Sequence, residues 1–320
     1  MMVKILYSVS INQRGRITSV WLPLPVDTDY QKLISLNREG NFSESGVFRE
    51  DIYDTPMLYI EWRGGKTKKI EVKIDVEIGE RNTEWSKVNE DGNIPEDIKI
   101  FLMPTLHIPT DKIVKEYADR ITMEKKSVVE KVKAIYDWVI ENTYREPRVK
   151  ACGLGNVESI LKSGKFCGKC VDINSLFVAL VRASKIPTRE VFGIRVDKFN
   201  IAQSLGKKGD ITTAQHCKAE FYVTGYGWVP VDPADVRKVI LEEDLSLKNA
   251  KVKKIKEYLF GNWEDNWLAF NHARDFTLNP PQNKTPLNYF MYPYCEVDGD
   301  SLDYFEPETF RYKIFSSVSS

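Results

Sequence analysis

Three residue types between Phe166 and Ala234 could together carry out nucleophilic chemistry. The run FCGKCVDINSLFVALV places Cys170 where an apolar helix should begin, HCKAEFYV opens a strand with His216, and GYGWVPVDPAD closes the next strand with Asp232. A cysteine at a helix start feels the positive end of the helix dipole and nearby unpaired N–H groups, which favour the thiolate. A histidine beside it can take up and return a proton, and a carboxylate can orient the ring. The chemistry would be thiolate attack on a carbonyl carbon, with the backbone N–H of Cys170 helping to hold the oxyanion. Gly168, two residues earlier, would let backbone approach closely.

Each residue also has a simpler explanation. Free cysteine is usually just packed inside. His216 begins a strand in which His216, Lys218, Glu220 and Tyr222 alternate with Cys217, Ala219, Phe221 and Val223, so it could sit on a wet face. Asp232-Pro233 is a common turn opener. Hairpin register separates the readings. With Tyr222 opposite Trp228, Lys218 faces Asp232 and His216 is its diagonal neighbour at ~7–8 Å; an odd register puts histidine and aspartate on opposite faces. His107 lies among prolines and His272 among aromatics, which leaves His216 as the base of choice.

Cys167-Gly168-Lys169-Cys170 is also a C-x-x-C, which could be a redox pair or half of a zinc site. A redox domain would want it directly after a strand in a βαβ unit. Zinc would need His216 and Cys217 from opposite faces of one strand. Cys170 is preferred as nucleophile, Cys167 is kept as a modulator, and no metal or other cofactor is expected.

The positioning elements follow from periodicity. Val3, Ile5, Tyr7, Val9 and Ile11 alternate with polar residues, as do Ile70, Val72, Ile74, Val76 and Ile78, so residues 1–105 read as an N-terminal β domain with a linker. Residues 26–46 read as irregular, and 47–54 and 57–63 as further strands. Thr110 reads as the N-cap of one helix, and a second begins near Ser127. The LFVALV centre of the helix after Cys170 is apolar nearly all round, as in a buried helix. Residues 106–240 form the core, and 241–320 an aromatic-rich extension packed on it. The fold class is α+β, with the Cys170 helix packed on an antiparallel sheet beside an N-terminal β-sandwich.

GKCVD at 168–172, the helix ending in KIPTREVFGI, HCKAEFYV and GWVPVDPAD resemble the transglutaminase-like superfamily in order and spacing over about residues 125–240. The N-terminal WLPLP and the C-terminal RDFTLNPPQ and LNYFMYPYCEVDG are similar to longer members. The resemblance implies Cys170 as nucleophile, His216 as base and acid, and Asp232 as the residue orienting the imidazole. It implies a thiol-dependent acyl-transfer enzyme acting on peptide or isopeptide amides, hydrolytic in the first instance. An amine-accepting cross-linker and a non-catalytic peptide-binding module on a degenerate version of the fold stay open. One departure stands out: such proteins usually carry an aromatic two residues after the histidine, and here it is Lys218. A cation on that face should disfavour imidazolium.

The composition, 42% hydrophobic and 29% charged, is that of a globular protein. Lys+Arg and Asp+Glu both number 46, which leaves no electrostatic footprint for nucleic acid or an anionic membrane. No apolar run approaches the ~20 residues of a membrane span. Five cysteines do not suggest a disulfide framework, and the alternating N-terminus does not read as a signal peptide, so a cytoplasmic setting and a peptide or protein substrate are expected.

Overall fold

The protein was analysed as a computed structural model, which describes residues 1–305 and 310–319. Strands β1 (Met2–Ile11), β2 (Ile17–Pro23), β3 (Gln31–Gly40), β4 (Glu44–Arg49), β5 (Pro56–Arg63) and β6 (Lys68–Ile78) open the chain. The alternation in β1 and β6 does what period-2 patterning requires, since Val3, Tyr7, Val72 and Val76 are wholly buried while Lys4, Glu71 and Lys73 face out. β3 and the first half of β4 occupy residues expected to be irregular, and the second half of β4 falls on the strand expected over 47–54. Each lies at the end of its five-stranded sheet, where a polar, half-exposed pattern is typical.

Helices α1 (Lys112–Thr122), α2 (Val128–Asn142), α3 (Val157–Ser163) and α4 (Cys170–Ala183) follow. The N-cap of α1 is Asp111, one residue beyond the expected Thr110. The second helix begins near Ser127 as expected, and Ser127 is its cap: its side chain accepts from Glu130 N–H and Glu130 reaches back, a complete capping box. All fourteen residues of α4 are buried, so it is the spine of this half of the molecule. It packs on β7 (Thr188–Arg195) and β8 (Gln215–Val223) of a four-stranded antiparallel sheet completed by β9 (Gly227–Val231) and β10 (Trp267–Asn271), in the order β9-β8-β7-β10. Fully burying a side chain such as Phe177 or Leu176 contributes about 1.5–3 kcal/mol, so this contact fixes where α4 starts. Between β9 and β10 run α5 (Pro233–Glu242) and α6 (Ala250–Tyr258).

The last two long strands, β11 (Tyr294–Val297) and β12 (Tyr312–Ser319), return to the N-terminal sheets. β11 pairs with β2 and β12 pairs with β1, and Gly209–Asp210 from the loop after β7 adds to the outer edge of β12. The chain's two ends and the loop that leads into the His216 strand are therefore hydrogen-bonded into one sheet.

Candidate active site

The start of α4 is fixed by Asp172 in its first turn. One carboxylate oxygen accepts from Lys169 N–H (2.9 Å), and the other accepts from Leu154 and Gly155 N–H (3.1 and 2.8 Å). Val171 N–H donates to the carbonyl of Cys152 (3.0 Å), which ties the glycine-bearing loop 152–155 to the helix mouth. Gly168 and Gly153 are needed here. A Cβ at either would overlap the Asp172 side chain, and Gly153 in addition has φ +93°. The close packing puts Cys170 at the first helical position, where N–H groups lack intrahelical acceptors.

The β8–β9 hairpin has Tyr222 opposite Trp228 and Ala219 opposite Val231, the even parity. The rings of Tyr222 and Trp228 meet edge-to-face at 5.3 Å. Asp232 therefore reaches His216, whose Nε2 lies 2.7 Å from Asp232 Oδ2. Asp232 is also the N-cap of α5, accepting Asp235 N–H on Oδ1 (3.1 Å), with Pro233 next in the helix; the turn-opener reading and the histidine-partner reading both hold. Asn174 from α4 donates to the same Oδ1 (3.4 Å) and to the carbonyl of Cys217 (2.8 Å), linking α4, β8 and the α5 start through one side chain. With Nε2 committed to Asp232, Nδ1 is the ring nitrogen left to serve Cys170, and His216 is among the groups that lower the Cys170 thiol.

The polar face of β8 is not wet. His216, Lys218 and Glu220 are all buried, beneath a cover that includes Trp263 and Trp267. Lys218 is fully enclosed, with Nζ 3.0 Å from Glu264, 3.4 Å from Asp232, and 5.7 and 5.5 Å from the rings of Trp263 and Trp267. Arg195 binds both oxygens of Asp235 (2.6 and 2.7 Å) and lies 3.4 Å from Glu264. Asp235 lies 3.3 Å from His216 Nε2. Three buried carboxylates thus face two permanent cations, and a positive His216 makes the cluster neutral. Burial works against the charged ring, and Arg195 does too, but Asp235 and Asp232 outweigh them and hold the His216 pKa above its ordinary value. The expected depression by Lys218 is therefore not what the fold produces, because Glu264 takes up that cation.

Cys170 shows the complementary shift. Burial opposes its thiolate, yet hydrogen bonds from Cys152, Cys217 and His216, with the charge on His216, hold the thiol well below its usual range. Cys152 is itself pinned, its Sγ meeting Gln215 O at 3.3 Å and Tyr292 Oη at 3.1 Å. Cys167 lies on a two-residue ribbon with Tyr144, whose hydroxyl it raises by hydrogen bonding, and the thiols in contact with Cys170 are Cys152 and Cys217. All five cysteines are free thiols. His216, Asp232 and Asp235 are also a set of ligand types close enough for a metal, but their carboxylates are already engaged by Arg195 and Lys218. His107 is paired with Asp275 through Nδ1 (2.5 Å), and His272 is half-buried, its pKa held down to about 3 first by desolvation and then by Arg189.

Cys152, Asp235, Glu264 and Arg195 were not singled out from the sequence. Asp235 carried the best signal, since it follows Asp232 by three residues in a helix start. Cys170 and His216 line a cleft of about 510 Å³, together with Tyr292, Phe305 and Tyr312 and with Arg145, Lys169 and Lys238.

Residues 115–233 match the family described as the transglutaminase-like superfamily. An uncharacterised protein of Haemophilus influenzae is 41% identical over 319 residues, covering 93% of this chain and 86% of that protein. The chain belongs to the transglutaminase-like superfamily. Among solved structures, a protein of Cytophaga hutchinsonii provisionally assigned as a cysteine protease aligns over 99% of this chain and 98% of its own, with a TM-score of 0.59 and 16% identity. The periplasmic domain of TgpA from Pseudomonas aeruginosa aligns over 78% and 74%, with a TM-score of 0.40 and 15% identity. No helix among the described residues is long and apolar enough to cross a membrane.

Proposed function

We infer that the protein is a thiol hydrolase of peptide or isopeptide amides, with Cys170 as nucleophile, His216 as general base and acid, and Asp232 orienting the imidazole. The observation that carries this is the continuous contact from the lowered Cys170 thiol through His216 to Asp232 at a helix mouth lining a cleft. In the first step the thiolate attacks the amide carbonyl, and the helix-start N–H groups face the oxyanion. The C–N bond then breaks as the His216 imidazolium gives its proton to the leaving amine, which leaves a thioester. Neutral His216 next takes a proton from water as the hydroxide adds to the thioester. Collapse expels the Cys170 thiolate and restores imidazolium.

Water is favoured over an amine as acceptor because the described cleft lining contains Arg145, Lys169 and Lys238 and no carboxylate. An incoming alkylammonium would meet like charge. The five free thiols fit a reducing compartment, and we keep the cytoplasm as part of this reading. The test is iodoacetamide labelling at neutral pH. Cys170 should react faster than β-mercaptoethanol, and Cys170→Ala should abolish both labelling at that site and hydrolysis of a fluorogenic peptide library. Labelling no faster than the free thiol, with hydrolysis kept in Cys170→Ala, defeats the reading. Incorporation of a fluorescent amine into casein at a rate matching hydrolysis would favour the cross-linker.

A further inference from the structure

Arg145, Lys169, Lys207 and Lys238 come to the cleft from four separate places. They are the short ribbon beside the Cys170 loop, the residue before Cys170, the loop between β7 and β8, and the second turn of α5. Arg145 and Lys238 are largely enclosed, with side chains 14% and 16% exposed. They share one carboxylate, Glu242, at 3.6 and 3.8 Å, and that carboxylate is itself 40% exposed. Lys169 and Lys207 have no ion-pair partner among the described residues. Burial first, then Arg195 and Arg145, push the Lys238 ammonium down against Asp235 and Glu242, which only partly offset them. Crowded, partly desolvated cations in a cleft wall are costly unless a counter-charge arrives. Close by, both polar atoms of the Gln215 amide are buried without a partner, a deficit that backbone amide groups of an extended occupant would relieve.

Resting on the Cys170 reading, we propose that the cleft selects an anionic acyl donor: a peptide segment with a carboxylate close to the scissile amide, seated against Arg145 and Lys238. The carboxylate completes the charge that Glu242 only half supplies, and it sets the acyl chain beside Cys170. The carboxylate source is either an acidic side chain or a free C-terminus.

Two measurements test this and separate it from the catalytic assignment. The first compares iodoacetate with iodoacetamide, which differ in charge and share a leaving group. Relative to β-mercaptoethanol, the iodoacetate:iodoacetamide rate ratio at Cys170 should rise about fivefold, and should fall back in Arg145→Gln, in Lys238→Gln and at high salt. The second uses Cys170→Ala, so that it does not depend on nucleophilicity. Acetylated Ala-Ala-Glu-Ala-Ala amide should bind about fivefold more tightly than its Gln twin. If only the Gln twin with a free C-terminal carboxylate gains that affinity, the terminus is the recognised group. Equal affinities for all three peptides, with a rate ratio at the free-thiol value, overturn the proposal. A Cys170 inert to both reagents alongside tighter binding of a charged peptide would defeat the catalytic assignment and leave the anionic preference standing. The two single variants sit on different elements, so a folding defect in one, visible by circular dichroism, leaves the other to decide.

Discussion

Replacing Lys218 by Met removes a cation of similar length from a site with no access to water. Glu264 then loses a partner at 3.0 Å and Asp232 one at 3.4 Å, and three buried carboxylates face only Arg195 and a protonated His216. Breaking one half of a buried ion pair costs about 3–5 kcal/mol, because the surviving charge stays desolvated. Glu264→Gln should cost a comparable amount by leaving Lys218 under-compensated. The double variant removes one charge of each sign, so its loss should fall short of the summed single losses by ~2–3 kcal/mol. Urea denaturation measures all three, provided the slope with denaturant is unchanged. A second readout is the pH profile of Cys170 alkylation. Losing the cation should push the His216 pKa further up, and losing the carboxylate should bring it down, so the two single variants should move the alkaline limb in opposite directions. A Lys218→Met protein within ~0.5 kcal/mol of wild type, strictly additive losses, or limbs that move together would refute the charge-balance argument.

The remaining expectations concern pH and position. Thiolate and imidazolium coexist between a Cys170 pKa held well below the usual thiol range and a His216 pKa raised above 6.5. The rate should fall on the acid side as Cys170 protonates and on the alkaline side as His216 loses its proton, giving a bell whose plateau a kcat/KM profile would reveal. Glu220 is buried; burial opposes its charge, but Arg189 and Arg81 more than offset this and hold its pKa down to about 2. A depressed carboxylate contributes stability that is present above its unfolded value of ~4.3 and is lost as pH falls through the folded one. About 3 kcal/mol should therefore disappear between roughly pH 5 and 2, and Glu220→Gln should flatten that limb in acid-denaturation curves. Gly168→Ala should slow Cys170 alkylation at least ~10-fold by displacing the Asp172 clamp, whereas Gly79→Ala, where an added Cβ would make only an ordinary contact with the Tyr30 carbonyl, should leave the alkylation rate unchanged.

Local signals carried much of the architecture. Period-2 runs in β1 and β6, the capping box at Ser127 and the apolar circumference of α4 each depend on neighbours within a few residues, so they are visible in the chain itself. The hairpin register was legible only as a choice between two parities, and the structure has the even one, which buries Phe221, Val229 and Val231 together. Pairing partners distant in sequence were not legible. Nothing in Tyr312–Ser319 says that it will pair with Met2–Ile11, because any amphipathic strand offers the same ladder groups to any exposed edge.

The least legible feature was the environment of β8's polar face. Alternation of His216, Lys218 and Glu220 with apolar residues is the pattern of a strand wet on one side, and that inference holds only when no other element covers the face. Here residues more than forty positions downstream cover it. Trp263 and Trp267 stack over Lys218, Glu264 pairs with it, and on the next polar position Glu220 takes Arg81 and Arg189. Charged side chains can be buried in such numbers only if partners of opposite sign arrive with them. The information that the face is dry was therefore divided between segments 216–220, 189–195, 232–235 and 263–267, each unremarkable alone. The same division explains the reversal at His216. Lys218 read by itself is a cation beside an imidazole. Lys218 read with Glu264 is a neutral pair, and the charges left facing the ring are Asp232 and the Asp235–Arg195 pair, whose balance favours imidazolium.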